Sequence, residues 1–271
     1  MAQTELLLGK PVLYKDQYDP SLLFPVPRSQ NREQLPPNIA FHGVDIWNGY
    51  ELSWLNEKGK PEVALGEFAV PYDSPNLIES KSFKLYLNSF NGSRFSSMDD
   101  VAKKMRTDLS AAAGKSVEVT LKSAGENVMR PQWPGDGVCI DELDVACQDY
   151  EVNADLLRCV DNPETARETL YSQLLKSNCP VTGQPDWATV VVRYRGPKID
   201  EGALLQYIVS FRNHAEFHEH CVERMFCDIM QRCHPQQLSV FAKYTRRGGL
   251  DINPFRSNYE DWVDNRRAAR Q

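Results

Sequence analysis

The sequence predicts an α+β fold made of two successive strand-strand-helix-helix-strand units, each an antiparallel sheet with helices on one face. Three observations predict it. Alternating apolar stretches flank a turn-forming segment between Trp47 and Val70, two segments of helical character follow, and the same order of elements recurs in the second half of the chain.

Taken in order, residues 11–40 hold Pro11, Pro20, Pro25, Pro27, Pro36 and Pro37. Proline has no amide donor, so this stretch is expected to be an extended arm around the body, without regular helix or central strand. Stretches 50–55 and 63–70 alternate, and Asn56-Glu57-Lys58-Gly59-Lys60-Pro61 between them signals a hairpin. Within 76–90, Phe83, Leu85, Tyr86, Leu87 and Phe90 suit a helix against a sheet, with a strand as the alternative. Ser97 or Asp99 can cap a second helix over 100–113, whose acidic start and later Lys103, Lys104 and Arg106 suit the helix dipole. A strand over 116–122 completes the unit, and 131–137 reads as a linker.

Beyond that linker, strands over 169–175 and 187–194, helices over 203–211 and 219–231, and a strand over 238–244 repeat the order. Leu85-Tyr86-Leu87-Asn88-Ser89-Phe90 resembles Gln206-Tyr207-Ile208-Val209-Ser210-Phe211, and Val101 lies as far beyond Ser89 as Val222 lies beyond Ser210, which points to duplication. The layout is therefore a Pro-rich arm at 1–40, a first module at 41–130, a linker at 131–150 and a second module at 151–271. The helix-free face of each sheet is expected to stay open for a site or an interface.

Composition narrows the function classes. Lys and Arg number 31 against 37 Asp and Glu, a formal charge of -6, so no basic excess exists to neutralise a phosphate backbone and nucleic acid is not expected as a direct partner. No stretch reaches the roughly 20 apolar residues of a membrane helix. The opening Met1-Ala2-Gln3-Thr4-Glu5 lacks the basic flank of a signal peptide, and seven cysteines without disulfide-framework spacing fit a reducing cytoplasm.

Four segments carry candidate chemistry. Ser177-Asn178-Cys179-Pro180-Val181-Thr182-Gly183-Gln184-Pro185-Asp186-Trp187 sits in an expected turn between strands, where Cys179 can serve as nucleophile and Asp186 as proton donor, or where a cysteine is simply a small apolar residue and an aspartate satisfies a turn. In Phe211-Arg212-Asn213-His214-Ala215-Glu216-Phe217-His218-Glu219-His220-Cys221, a continuous helix would set His214, His218 and Cys221 on one face for zinc. Alternatively these are solvated helix-start positions, or Glu219 accepts the paired N–H donors of a guanine-like ring. Glu79-Ser80-Lys81-Ser82-Phe83-Lys84 and Thr245-Arg246-Arg247-Gly248-Gly249 offer cations, hydroxyls and glycine backbone to a phosphate, or are a charged helix turn and a strand exit. No complete G-x-G-x-x-G or P-loop pattern occurs, so a dinucleotide would bind outside a Rossmann fold.

At these residues a family is recognisable. Glu79-Ser80-Lys81-Ser82-Phe83-Lys84-Leu85-Tyr86 resembles the signature motif of the 7-cyano-7-deazaguanine reductases of the queuosine pathway, Cys179-Pro180-Val181-Thr182-Gly183-Gln184-Pro185-Asp186 resembles their nucleophile loop, and Phe217-His218-Glu219 matches a third element. The order, signature motif first and cysteine later, resembles the longer two-module subgroup. The resemblance implies two tandem tunnelling-fold modules, NADPH as cofactor and 7-cyano-7-deazaguanine as substrate. Sheets with helices on one face leave apolar surface and strand edges to cover, so a homodimer is expected, with Trp47, Trp54 and Trp187, in or beside expected strands, either contact candidates or core residues. It implies Cys179 as the thioimide-forming nucleophile and Asp186 as the proton donor. Ile78, Glu79, Ser80, His218 and Glu219 would contact the deazaguanine, and Ser80, Lys81, Arg247 and Gly248 would contact NADPH. No metal is implied. A nitrile is a poor hydride acceptor, whereas thiolate addition and protonation give a C=N carbon that hydride can attack. The alternative is a zinc-dependent cyclohydrolase of the same fold acting on a purine nucleotide, and a third class is a non-catalytic purine or pterin-binding module.

Overall fold

A computed structural model describes residues 15–123, 137–268 and 271. The first fourteen residues of the expected arm, with Pro11, and positions 124–136, which include the start of the expected linker, lie outside the described residues. Along the chain run β1 (Pro25–Pro27), α1 (Ser29–Arg32), β2 (His42–Leu55), β3 (Pro61–Pro71), β4 (Asn76–Ile78), α2 (Ser80–Asn88), α3 (Met98–Ala113), β5 (Glu118–Ser123), β6 (Val138–Cys139), β7 (Thr165–Asn178), β8 (Pro185–Pro197), α4 (Glu201–Ser210), α5 (His218–Cys233), β9 (Gln237–Tyr244) and β10 (Leu250–Ser257). Helices and antiparallel strand pairs thus combine in an α+β chain. The described residues form two compact units, one drawn from 1–30, 47–127 and 247–250, the other from 31–46, 128–246 and 251–271.

In the first unit β5 pairs antiparallel with β3, from Ala64 opposite Ser123 to Ala69 opposite Glu118. The β2–β3 turn forms where Asn56 accepts the amides of Lys58 and Lys60, each at 3.0 Å, and Gly59 takes φ 79. Ser97 caps α3 by accepting from Asp100 N, and Gly114 closes it at φ 75. Phe83 on α2 meets Trp47 and Phe68 with ring centroids 5.1 and 5.0 Å apart. Trp47 and Trp54 are 2% and 3% exposed, so both pack inside and neither serves as an interface contact.

In the second unit β7, β8, β9 and β10 run antiparallel in that order and β6 joins β7 in parallel. Val190, Val192, Tyr194, Leu238, Val240, Ala242 and Tyr244 share one face by two-residue alternation and pack with Leu204, Ile208, Val222, Met225 and Phe226 of α4 and α5. The opposite face is not left open in this unit, contrary to expectation. Glu260 binds Arg193 at 2.8 Å and Ser239 at 2.7 Å, and Asn265 accepts from Lys243 at 2.7 Å, so the segment after β10 covers that face.

Two further expectations are corrected. The proline-rich stretch is not wholly irregular: β1 pairs antiparallel with β4, and Asp19 caps a 3-10 turn at Pro20–Leu22. Pro25 and Pro27 sit at the ends of β1 and Pro20 at the start of that turn, where a missing amide donor costs least. The strand β10 went unforeseen because Asn253-Pro254 within it reads as a turn.

The recurrence in sequence reappears as matched hydrogen bonds. Tyr86 donates to Asp108 and Tyr207 to Asp228, both at 2.7 Å. Ser89 donates to Tyr86 O and accepts from Asp19 N at 3.2 Å; Ser210 donates to Tyr207 O and accepts from Asn153 N at 3.2 Å.

A buried ion network holds the second unit. Arg256, 0% exposed, donates to Asp45 at 2.7 Å and to Glu223 at 2.8 Å, and Arg32 reaches Glu223 at 2.6 Å. Burial pushes the Glu223 carboxyl up, but the Arg256 and Arg32 guanidinium groups outweigh it and hold the group below its ordinary value. A depressed folded value means stabilisation that is full above the unfolded pKa of about 4.3 and is lost as pH falls through the folded value. Urea unfolding should therefore show Glu223→Gln destabilised by about 3–5 kcal/mol at pH 7. The gap to wild type should narrow below about pH 4. A gap that stays constant into acid would contradict the pairing.

Candidate active site

Cys179 stands at the tip of the β7–β8 hairpin because its register leaves six residues, 179–184, to turn the chain. Asn178 faces Pro185 and Ser177 faces Asp186, while Cys179 N donates to Gln184 O and Gly183 N to Cys179 O, both at 2.9 Å. Gly183 supplies the positive φ of 67 that closes the turn. The thiol residue is half-buried, whereas Asp186 is 3% exposed. The sequence Cys-Pro-x-Thr-Gly-Gln-Pro-Asp thus folds as a hairpin that sets Asp186 opposite Ser177, two residues before Cys179.

A second element is zipped onto that hairpin. Asn178 N donates to His214 O at 2.8 Å and Glu216 N to Asn178 O at 3.1 Å, a parallel bridge between Asn178 and Ala215. This anchors the segment leading into α5, so that His218, its first residue, brings Nε2 to 3.2 Å from Asp186 Oδ2. Glu219 follows at 3% exposure. The His218 ring stacks on Tyr244 with centroids 3.7 Å apart and planes 5° from parallel. Three side-chain atoms buried here, Ser177 Oγ, His218 Nδ1 and Tyr244 Oη, have no hydrogen-bond partner among the described residues. Burial pushes the Cys221 thiol up to about 12 and the Tyr244 hydroxyl well above its ordinary range.

The structure does not set His214, His218 and Cys221 on one helical face. The helix α5 begins at His218, His214 lies in the extended segment before it, and the Cys221 side chain is turned into the core at 0% exposure. Among the described residues no group of three His, Cys, Asp or Glu side chains is arranged to hold a metal ion.

The remaining expected site residues belong to the first unit. Glu79 is the N-cap of α2: Oε1 accepts from Lys81 N at 2.9 Å and Oε2 from Ser82 N at 2.8 Å. Its carboxylate is thus held rigid, and any ligand contact would share oxygens already in use. Ile78 is 4% exposed in β4, opposite Pro25, so its side chain belongs to the core. Ser80 is exposed and Lys81 half-buried at the start of α2. Arg247 and Leu250 close a four-residue turn in which Gly248 and Gly249 take φ 58 and 78, the positive pair that a type I′ turn needs. Lys84, one turn along α2 from Lys81, passes 3.8 Å from where a Gly248 Cβ would sit and forms an ion pair with Glu51. That places the Arg247–Leu250 turn beside α2. Sequence reasoning missed Ser177 and Tyr244, whose only signal was alternation within their strands, and Lys84 as the link between helix and turn.

The chain matches a family described as nitrile reductase, 7-cyano-7-deazaguanine-reductase N-term over residues 14–121, and one described as QueF-like protein over 185–262. It is 58% identical over 257 residues to an NADPH-dependent 7-cyano-7-deazaguanine reductase of Azoarcus sp. (strain BH72), covering 94% of this chain and 91% of the other. The enzyme of the same name from Bordetella parapertussis is 55% identical over 269 residues, 96% of each chain. The chain belongs to the 7-cyano-7-deazaguanine reductase family. Of the candidate residues, Ile78, Glu79, Ser80 and Lys81 fall in the first matched segment, Asp186, His218, Glu219, Arg247 and Gly248 in the second, and Cys179 between the two. A solved structure, an archaeosine synthase QueF-Like in the apo form, overlaps 38% of the chain at a TM-score of 0.31 and 17% identity, too distant to bear on the fold.

Thiol accessibility distinguishes the cysteines of this family member. Cys221, Cys227 and Cys233 are buried, and burial pushes each up to about 12. Brief iodoacetamide treatment of the native protein near pH 7.5 should therefore alkylate Cys179 while leaving these three unmodified until urea is added, as read by peptide mass. Early labelling of Cys221 would contradict the packing described.

Proposed function

We propose that this chain reduces the nitrile of 7-cyano-7-deazaguanine to the amine of 7-aminomethyl-7-deazaguanine, in queuosine biosynthesis, with two NADPH consumed per nitrile. The observation that carries the reading is the hairpin register that sets buried Asp186 opposite Ser177, two residues before Cys179. It supplies a nucleophile and a proton donor for one small electrophile.

In this reading the Cys179 sulfur, as thiolate, bonds to the nitrile carbon as one C–N π bond opens, and the nitrogen takes its proton from the protonated Asp186 carboxyl, which is left as carboxylate, giving a covalent thioimide. Glu219 and His218 hold the ring, Glu219 accepting its adjacent N–H donors. The unpartnered His218 Nδ1 is a polar atom that a ligand group can satisfy. Glu79 and Ser80, with the Ile78 backbone, are proposed as further contacts to the deazaguanine.

The donor set in the first unit fits a phosphorylated dinucleotide. Lys81 and Arg247 are cations, Ser80 is an exposed hydroxyl, and Gly248 offers backbone unobstructed by a side chain at φ 58. NADPH, when bound, supplies hydride to the C=N carbon. The chain's own task between the two reductions is to release Cys179 as thiolate while Asp186 manages the proton, and to keep water from the imine, which would hydrolyse. The test is NADPH oxidation at saturating 7-cyano-7-deazaguanine with product mass; no nitrile-dependent oxidation would reject the reading. In the same assay Cys179→Ala should lose turnover and the covalent adduct seen by intact mass, while Cys227→Ala keeps the adduct. An adduct surviving in Cys179→Ala would remove the nucleophile assignment.

We further propose that the two units are tandem tunnelling-fold modules, with an arm at 1–40, modules at 41–130 and 151–271 and a linker at 131–150, in a cytoplasmic homodimer without direct nucleic-acid contact. The supports are matched hydrogen bonds in the two units, seven free thiols and the formal charge of -6. No helix among the described residues is long and apolar enough to cross a membrane. Among the described residues the strands β5 and β6 each pair on one side only, and such edges are ones that a second chain can cover. Light scattering at micromolar protein should report about twice the 30.9 kDa chain mass. An active monomer would reject the assembly and leave the chemistry standing.

A further inference from the structure

The pair formed by His218 and Asp186 depends on something that fixes the imidazole plane. A histidine ring has a broad, roughly two-fold χ2 preference, so a single 3.2 Å contact to Asp186 does not by itself orient it. One face of the ring lies against Tyr244 at 3.7 Å and 5°. Tyr244 is itself immobile: it is 0% exposed, sits opposite Ala188 in the β8–β9 register, and is followed by Thr245, whose amide donates to Trp187 O at 2.8 Å. The same strand, β8, carries Asp186 two residues before Ala188. Carboxylate and stacking ring are thus built on neighbouring strands of one sheet, and the histidine is inserted between them from α5.

The buried Tyr244 hydroxyl has the Ser177 hydroxyl and the Cys221 thiol as its polar neighbours. What the position supplies is a flat ring of fixed tilt.

We infer that Tyr244 is a positioning residue of the nitrile-reducing site, its ring holding the His218 imidazole in the plane that points Nε2 at the Asp186 carboxylate. Tyr244 touches no reacting atom in this assignment and acts through His218 alone. The inference rests on the function proposed above for Cys179, Asp186 and His218. It predicts that the ring, and not the hydroxyl, is needed, and that its effect vanishes when His218 is absent.

The experiment is a double-mutant cycle read as the rate of covalent adduct formation between the protein and 7-cyano-7-deazaguanine without NADPH, followed by intact mass. Tyr244→Phe should keep the wild-type rate within about twofold, and Tyr244→Leu should slow it about tenfold or more, while the affinity for 7-deazaguanine, which has no nitrile, changes far less. In a His218→Ala background Tyr244→Leu should change the rate by no more than about twofold. An equal loss in both backgrounds, or a Phe variant as slow as the Leu variant, overturns the inference. Should Tyr244→Leu not fold, the His218 ring protons of wild type and Tyr244→Phe decide by NMR: both should show the upfield ring-current shift of a stacked imidazole, and its absence overturns the stack. A wild-type protein that forms no adduct rejects the function itself; one that forms it, with rates indifferent to Tyr244, rejects only this role.

Discussion

A bulge in β7 is the constraint on which the second unit's site rests. The pairing with β8 shifts between Ser172 and Leu175, so that Gln173 and Leu174 together span one position of the partner strand. Before the bulge Leu170 and Ser172 face the core; after it the inward parity passes to Leu175 and Ser177. Without that extra residue the end of β7 would present its opposite side chains to the helices and the hairpin would meet α5 in another register. The bulge is held by Asp141, which accepts from Gln173 N at 3.0 Å, and by Ser172, whose hydroxyl accepts from Leu174 N at 3.1 Å. A loop contact far from Cys179 in sequence therefore helps decide what stands beside it.

Polar groups buried at this place are an expense that the fold alone does not explain. Asp186 and Glu219 are each 3% exposed, and Ser177, His218 and Tyr244 carry buried atoms without a partner among the described residues. Elsewhere in the unit buried charge is closely matched, as where Arg256 meets both Asp45 and Glu223. The contrast agrees with the proposed site: one network is closed on itself, and the other keeps polar atoms that a ligand would satisfy if the proposal holds. Burial pushes the three inner cysteines up, whereas Cys179, half-buried like Cys139, Cys147 and Cys159, stands at the hairpin tip, and the nucleophile role proposed for it falls to a thiol outside the core.

The two units show how one scaffold carries different tasks. Leu55 exchanges backbone hydrogen bonds with Ser93 and Phe95 as Asn178 does with His214 and Glu216. The residue that follows is Asn56 in one case, spent on its own turn, and Cys179 in the other. The helix after the hairpin is capped by Glu79 in the first unit and by Asp200 in the second, and only the first is followed by Ser80 and Lys81. Repeating the frame while changing the side chains at its ends puts a thiol in one unit and a cation in the other without a new fold.

Much of this was legible in the sequence. Hairpins, helices and caps are local: Asn56 and Gly59 turn a chain, Ser97 caps a helix, and alternation marks strands wherever one face meets water. The recurrence of Leu85–Phe90 in 206–211 was visible because the same tyrosine and serine make the same bonds in both places, and the cysteine and signature segments were legible because short motifs keep their chemistry next to one another. Strand β10 was hidden because burial on both sides removes alternation and Pro254 mimics a turn. The role of Glu79 as a cap, the separation of His214 from α5, and the stacking of Tyr244 on His218 were decided by tertiary structure alone. Each depends on where a helix begins or on which strand lies beside which, and those are settled by contacts between residues far apart in the chain, which no local pattern of residue types encodes.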